Sequence, residues 1–239
     1  MSNNVFQTAR RLVSALLICA AGSVWCAESL VKNGDFEQAD AVDPVKPASW
    51  DKPDGLGVQW ANTLEAGHGK AIRMNTAITE IALNEQCKKA GIDKWIIPNP
   101  TSGTVGENYG LSLYSDPMPV TKGQPYKITF DYKGPSGSMV WVRGYGTIDG
   151  EKRELWSTYV NCRVANAREW TTLAQEFFPT KERAGMKKLQ SITEMRVMLY
   201  AIVPTSIYWF DNVKIEPISI SEYQELQKTP APVAHGRKK

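Results

Sequence analysis

The sequence predicts an all-β protein, with antiparallel sheets packed as a sandwich or closed as a barrel. Three observations carry this. Runs of alternating apolar and polar residues recur between Ser29 and Pro217, and period two marks a half-buried strand. Turn residues punctuate the runs, with 18 Gly and 14 Pro in 239 residues, as many short strands require. Helical periodicity is confined to two short segments. At 42% hydrophobic and 22% charged residues, the chain is neither wholly disordered nor a polytopic membrane protein. No repeat with a period of roughly 20–50 residues occurs.

The chain begins outside that fold. Arg10 and Arg11 lead the apolar stretch from Leu12 to Ala21, which is too short for a bilayer core of about 30 Å. Gly22, Ser23, Cys26 and Ala27 follow as small residues that a peptidase can accept. Residues 1–27 therefore read as a secretory signal, with an uncleaved anchor as the alternative. Cleavage would leave Trp25 or Val24 three residues back, so the exact site stays open. The mature chain is expected to be secreted, extracellular or periplasmic, and free of the membrane. It keeps 26 basic and 25 acidic residues, too even a balance for a nucleic-acid surface. Cys87 and Cys162 remain, and in an exported chain they read either as one disulfide or as two buried thiols.

Ten strands are predicted within residues 28–217, at 30–33, 58–61, 70–76, 110–114, 124–133, 139–145, 155–163, 170–178, 195–203 and 207–216. The clearest is 124–133. Tyr126, Ile128, Phe130 and Tyr132 fall on one face, and Lys127, Thr129, Asp131 and Lys133 on the other. Gly134-Pro135-Ser136-Gly137 then turns the chain, and 139–145 is expected to return as the second strand of a hairpin. Residues 195–203 are apolar on both faces apart from Arg196, as in a central strand. A short helix is expected at 84–90, ending at Gly91, and another at 221–228. Residues 84–108 form an insertion with Pro98, Pro100, Gly103 and Gly106; a loop of that length is usually functional or disordered. Residues 218–239 read as the second short helix and a disordered basic tail.

Two end motifs carry a resemblance. Leu30-Val31-Lys32-Asn33-Gly34-Asp35-Phe36-Glu37, followed by Trp50, resembles the opening of carbohydrate-binding modules of families 4 and 9, the CenC-like group. Ile207-Tyr208-Trp209-Phe210-Asp211-Asn212-Val213-Lys214-Ile215 resembles their last strand. Gly67-His68-Gly69-Lys70-Ala71-Ile72-Arg73 and Gly123-Gln124-Pro125-Tyr126 fit the turns between. The resemblance spans about 29–217, and the insertion departs from it. It implies a jelly roll related to galactose-binding-like domains, a glycan or polysaccharide partner, and a structural Ca²⁺ where the first and last strands meet. Calcium takes six to eight oxygen ligands. The implied set is the side chains of Glu37 and Asp211 with backbone carbonyls of Asp35 and Lys70.

Sugar binding needs flat apolar surface with placed hydrogen-bonding groups. Val140 and Val142 share one face of their strand, which sets Trp141, Arg143 and Tyr145 on the other. Trp156 lies on a neighbouring strand, and Trp95 and Tyr109 lie in or beside the insertion. These six are the candidate ligand-binding residues. Each has a structural alternative, because Trp and Tyr also fill sandwich cores. Catalytic signals are weak. The chain has 2 His, no His-Glu-x-x-His or Cys-x-x-Cys spacing and no Gly-x-Ser-x-Gly elbow. Asp149, Glu151 and Glu154 around Gly150 read as a solvated hairpin tip. The expectation is a non-catalytic glycan-binding domain; a structural or adhesion sandwich, or a glycan hydrolase or lyase, are the rivals.

Overall fold

The computed structural model describes residues 28–93, 96–182 and 184–228. Residues 1–27, expected to be a secretory signal, Trp95 and residues 229–239, expected to be a tail, lie outside the described residues. The elements in chain order are β1 (Val58–Asn62), β2 (Lys70–Asn75), α1 (Glu80–Ala90), α2 (Val105–Asn108), β3 (Leu111–Tyr114), β4 (Met118–Pro119), β5 (Tyr126–Lys133), β6 (Met139–Ile148), β7 (Glu151–Asn161), β8 (Thr171–Phe177), β9 (Ile192–Ala201), β10 (Ile207–Pro217) and α3 (Ile220–Lys228), with a 3₁₀ turn at Lys187–Ser191.

The strands form two antiparallel sheets. One runs β1-β2-β10-β5-β8; the other runs β3-β9-β6-β7, with β4 also on β9. This is a β-sandwich of the jelly-roll kind, as the alternating runs predict. The core lies between the sheets. Tyr126, Ile128, Phe130 and Tyr132 on β5 and Tyr208, Phe210, Val213 and Ile215 on β10 face it from one side. Val140 and Val142 on β6 and Met195, Val197, Leu199 and Ala201 on β9 face it from the other. Burying one such side chain contributes about 1.5–3 kcal/mol, and their number makes this the main source of stability.

Two expectations about strands are corrected. Segments 124–133 and 139–145 do not form a hairpin, because β5 pairs with β8 and β10 while β6 pairs with β7 and β9. Both strands put an apolar face into the same core, so the chain must cross from one sheet to the other between them. Gly134 and Gly137 turn this corner at φ 157° and 132°. The second is a position where a Cβ would run into the Val203 carbonyl. Residues 30–33 are a turn rather than a strand. Asn33 adopts φ 50°, and its side chain accepts from Gln38 N and donates to the Ala48 carbonyl, both at 2.9 Å. The segment still lies against the last strand, with Leu30 N donating to the Ile215 carbonyl and Val213 N to the Gly34 carbonyl, each at 2.8 Å.

The described residues of the insertion are ordered as well. Thr79 caps α1 at its start, and Gly91 ends it in the left-handed region at φ 70°, a conformation glycine adopts without strain. Leu83, Cys87, Ile92, Ile97 and Val105 enter the main core. The 84–108 excursion therefore extends the hydrophobic interior.

Candidate functional site

The outer face of the β3-β9-β6-β7 sheet is built by strand alternation. Val140 and Val142 point inward, so Met139, Trp141, Arg143 and Tyr145 point out. Cross-strand register extends the face. Tyr114 stands opposite Met198, Met198 opposite Trp141, and Trp141 opposite Tyr159. Three aromatic rings thus form a row across four strands with buried Met198 as floor. Three inter-strand steps of about 4.8 Å make the row about 14 Å wide. One step along, Arg196, Arg143 and Ser157 are neighbours; beyond them come Glu194, Tyr145 and Glu154.

The rings and charges support each other. Trp141 and Tyr159 have ring centroids 4.6 Å apart at 46°, and the Arg143 guanidinium lies 5.3 Å above the Trp141 ring. Arg143 Nη1 is 2.7 Å from Glu154 Oε2. Arg196 donates from Nε to the Ser115 carbonyl at 2.6 Å and from Nη2 to Asp51 at 3.3 Å, while stacking 5.1 Å from the Tyr114 ring. Lys152 pairs with Glu194 at 2.5 Å. Burial opposes the Arg143 charge, but the Glu154 hydrogen bond and nearby tyrosines hold its pKa above the ordinary value. Burial also raises the Tyr114 and Tyr145 phenols, so both remain neutral hydrogen-bonding groups. Arg143 Nε is buried with no hydrogen-bond partner among the described residues.

Of the expected ligand residues, the structure brings together Trp141, Arg143 and Tyr145. Trp156 is a correction. It stands opposite Gly144, on the core side of β7, and stacks 5.7 Å from Phe177. The register shift between Gly144 and Tyr145 lets Leu155 and Trp156 both turn inward, and the missing side chain at Gly144 leaves room for the indole. Tyr109 is exposed at the rim of a cavity beside β3. Tyr114, Tyr159 and Arg196 were missed as site residues. The available signal was Arg196, the one charge in the otherwise apolar run at 195–203.

The residues expected to hold calcium are spread along a strap formed by residues 68–70. Glu37 Oε1 accepts from Lys70 N at 2.8 Å. Asp211, 1% exposed, binds His68 Nδ1 at 2.9 Å through Oδ2 and takes Asn212 N at 2.7 Å through Oδ1. Asp35 lies exposed in the preceding turn. His68 in turn stacks on Trp170, with centroids 3.9 Å apart at 10°, and its Nδ1 is 4.0 Å from Asp131. Among the described residues no group of three or more His, Cys, Asp or Glu is placed to hold a metal ion. In this arrangement Lys70 N, Asn212 N and the His68 imidazole engage the two carboxylates. The disulfide is corrected as well. Cys87, on α1, and Cys162, just after β7, are separate buried free thiols. Burial pushes their pKa values up to about 11 and about 12, so both stay protonated and unreactive.

No family model and no curated protein matches the chain. Solved structures similar to it include the enzymatically active domain of tailspike protein 4 from bacteriophage CBA120, at 11% identity and TM-score 0.46, covering 80% of this chain and 21% of that one. The chain thus spans about a fifth of the tailspike. The Stig cyclase Fisc from Fischerella sp. TAU is similar at 15% identity and TM-score 0.45, with coverages of 80% and 98%. The CBM22-1 xylan-binding domain from Paenibacillus barcinonensis Xyn10C is similar at 11% identity and TM-score 0.42, with coverages of 81% and 96%.

Proposed function

We propose that the protein is a non-catalytic glycan-binding domain of the carbohydrate-binding-module kind, and that the outer face of the β3-β9-β6-β7 sheet holds the sugar. The observation that carries the reading is the row of Tyr114, Trp141 and Tyr159 over Met198, with Arg143 and Arg196 beside it. Ring faces match the apolar faces of sugar residues, and tyrosine edges and guanidinium forks supply hydrogen bonds to ring hydroxyls. Glu154 engages only one nitrogen of the Arg143 guanidinium, and the rest of the fork can donate to ring hydroxyls. The terminal motifs that resemble families 4 and 9 support the same reading.

Glu154 and Glu194 flank Tyr145 across β6, which raises glycan hydrolysis as a second reading. A glycosidase needs one carboxylic acid and one carboxylate. Here each side chain is already engaged by a cation, Glu154 by Arg143 at 2.7 Å and Glu194 by Lys152 at 2.5 Å, so neither is free for the acid or the base role. Binding without cleavage is the better account.

An exposed face predicts micromolar-to-millimolar affinity, about 4–8 kcal/mol. A glycan array with the mature protein, followed by titration of the best ligand, tests the proposal. Trp141→Ala should abolish binding while the melting temperature stays close to that of the parent. Array silence across plant, bacterial and animal polysaccharides would overturn the reading in favour of a structural or adhesion sandwich.

A further inference from the structure

We infer that the cavity enclosed by α1, the segment at Ile96, Ile97 and Pro98, and β3 is a binding site for an uncharged, bicyclic-sized apolar ring, independent of the outer-face aromatics. Its volume is about 260 Å³, well above the roughly 150 Å³ apolar cavity that takes up benzene. The walls are largely aliphatic, with Val58 from β1, Leu83 from α1, Ile97 after it, and Leu111 and Leu113 from β3. An apolar space of this size between ordered elements is held open by the helix on one side and the sheet edge on the other. Filling it would recover dispersion contacts that its lining now lacks.

The polar groups decide the ligand's charge. Lys52 Nζ is matched by Asp43 at 2.9 Å. The Asp54 carboxylate accepts N–H bonds from Leu56, Gly57 and Val58 at 2.7, 2.6 and 2.8 Å. Both charges are thus engaged by the protein, and a charged ligand would lose hydration with nothing in the cavity to replace it. A neutral ring would lose little. The Tyr200 hydroxyl, which donates to the Tyr109 carbonyl at 2.9 Å, belongs to a residue lining the cavity where it opens past β3, and its oxygen can still accept. A ring with a single N–H or O–H donor matches that edge. The Cys87 thiol completes the wall, and a neutral, polarizable sulfur packs well on an aromatic face. Tyr109, 48% exposed at the rim, leaves a route in.

Indole is a suitable probe, being neutral and bicyclic with one N–H donor. Titrated into methyl-labelled protein, it should shift the Leu83, Ile97 and Leu113 methyl resonances saturably and raise the melting temperature with concentration, since it binds only the folded state. Cys87→Phe puts a ring into the space and should weaken indole by roughly tenfold or more, about 1.4 kcal/mol, whereas Cys87→Ser should keep most of the affinity. If Cys87→Phe does not fold, the methyl titration of the unaltered protein decides alone. Saturable shifts at those three methyls support the site. No shift up to the solubility limit, or shifts confined to residues around Trp141 and Tyr159, would overturn it. Trp141→Ala should leave indole binding unchanged, so failure of this inference and failure of the glycan reading are separable.

Discussion

Arg143 occupies a position that stability alone does not explain. It stands directly opposite Arg196, and like charges across a strand pair are unfavourable. Each guanidinium is balanced by its own carboxylate, Glu154 or Asp51. Partly exposed pairs of this kind contribute about 0–1 kcal/mol each, so Arg143→Ala should hardly change the melting temperature. Glycan affinity measured by calorimetry should fall by about tenfold or more, because a charge-assisted hydrogen bond is worth about 1.5–3 kcal/mol. Arg143→Lys should not rescue it, since lysine restores the charge but has no Nε fork. Calcium is the other residue-scale question. With Asp211 held by His68 and Glu37 by Lys70 N, a chelator should leave the melting temperature unchanged, whereas His68→Ala should lower it by taking the hydrogen-bond partner from the buried Asp211 side chain. A drop with chelator alone would return Glu37 and Asp211 to a shared cation.

At the scale of elements, β6 shows what alternation can and cannot reveal. The Val140/Val142 spacing places Trp141, Arg143 and Tyr145 outward, and the structure keeps that arrangement. Period two is a local property, so it says nothing of which sheet a strand joins. This is why the β5–β6 corner reads as a hairpin in sequence. The register shifts in β6 are likewise invisible, yet they turn Trp156 into the core. Glycine is their trace. A Cβ at Gly146 would collide with the Ser191 carbonyl and come within 2.8 Å of Leu155 Cδ1. Backbone cannot yield as a flexible side chain can, so Gly146→Ala should cost about 1–3 kcal/mol as an overpacking change. Urea denaturation checks this. A shift within experimental error would mean that β6 slides easily over the 3₁₀ turn beneath it. The insertion teaches the same lesson from the other side. Its helix was legible at 84–90 from Gly91, although it starts earlier, at Glu80, and its packing against β3 depends on contacts distant in sequence.

The whole molecule is closed by the meeting of its two ends, and that closure has a titrating group inside it. Asp211 on β10 is reached by His68 from the turn before β2 and faces Asp131 on β5, so three parts of one sheet converge on it. Burial raises its pKa to about 7 from an ordinary 3.8, with the His68 hydrogen bond opposing the rise. The direction that burial imposes on the Asp211 carboxyl fixes the sign. A raised acid binds, in the folded chain, a proton that the unfolded chain has already released between those two values. Its contribution to stability is therefore complete below about pH 4 and is lost as pH rises through about 7. The urea midpoint should fall across that window, over whatever background the other groups supply. Asp211→Asn removes the titrating group while keeping a side-chain amide beside His68, and should flatten the slope between pH 4 and 7 relative to the parent. Equal slopes in the two proteins would show that Asp211 is ionised throughout and that the closure rests on the His68–Trp170 stack and the backbone bonds at Gly34 and Leu30.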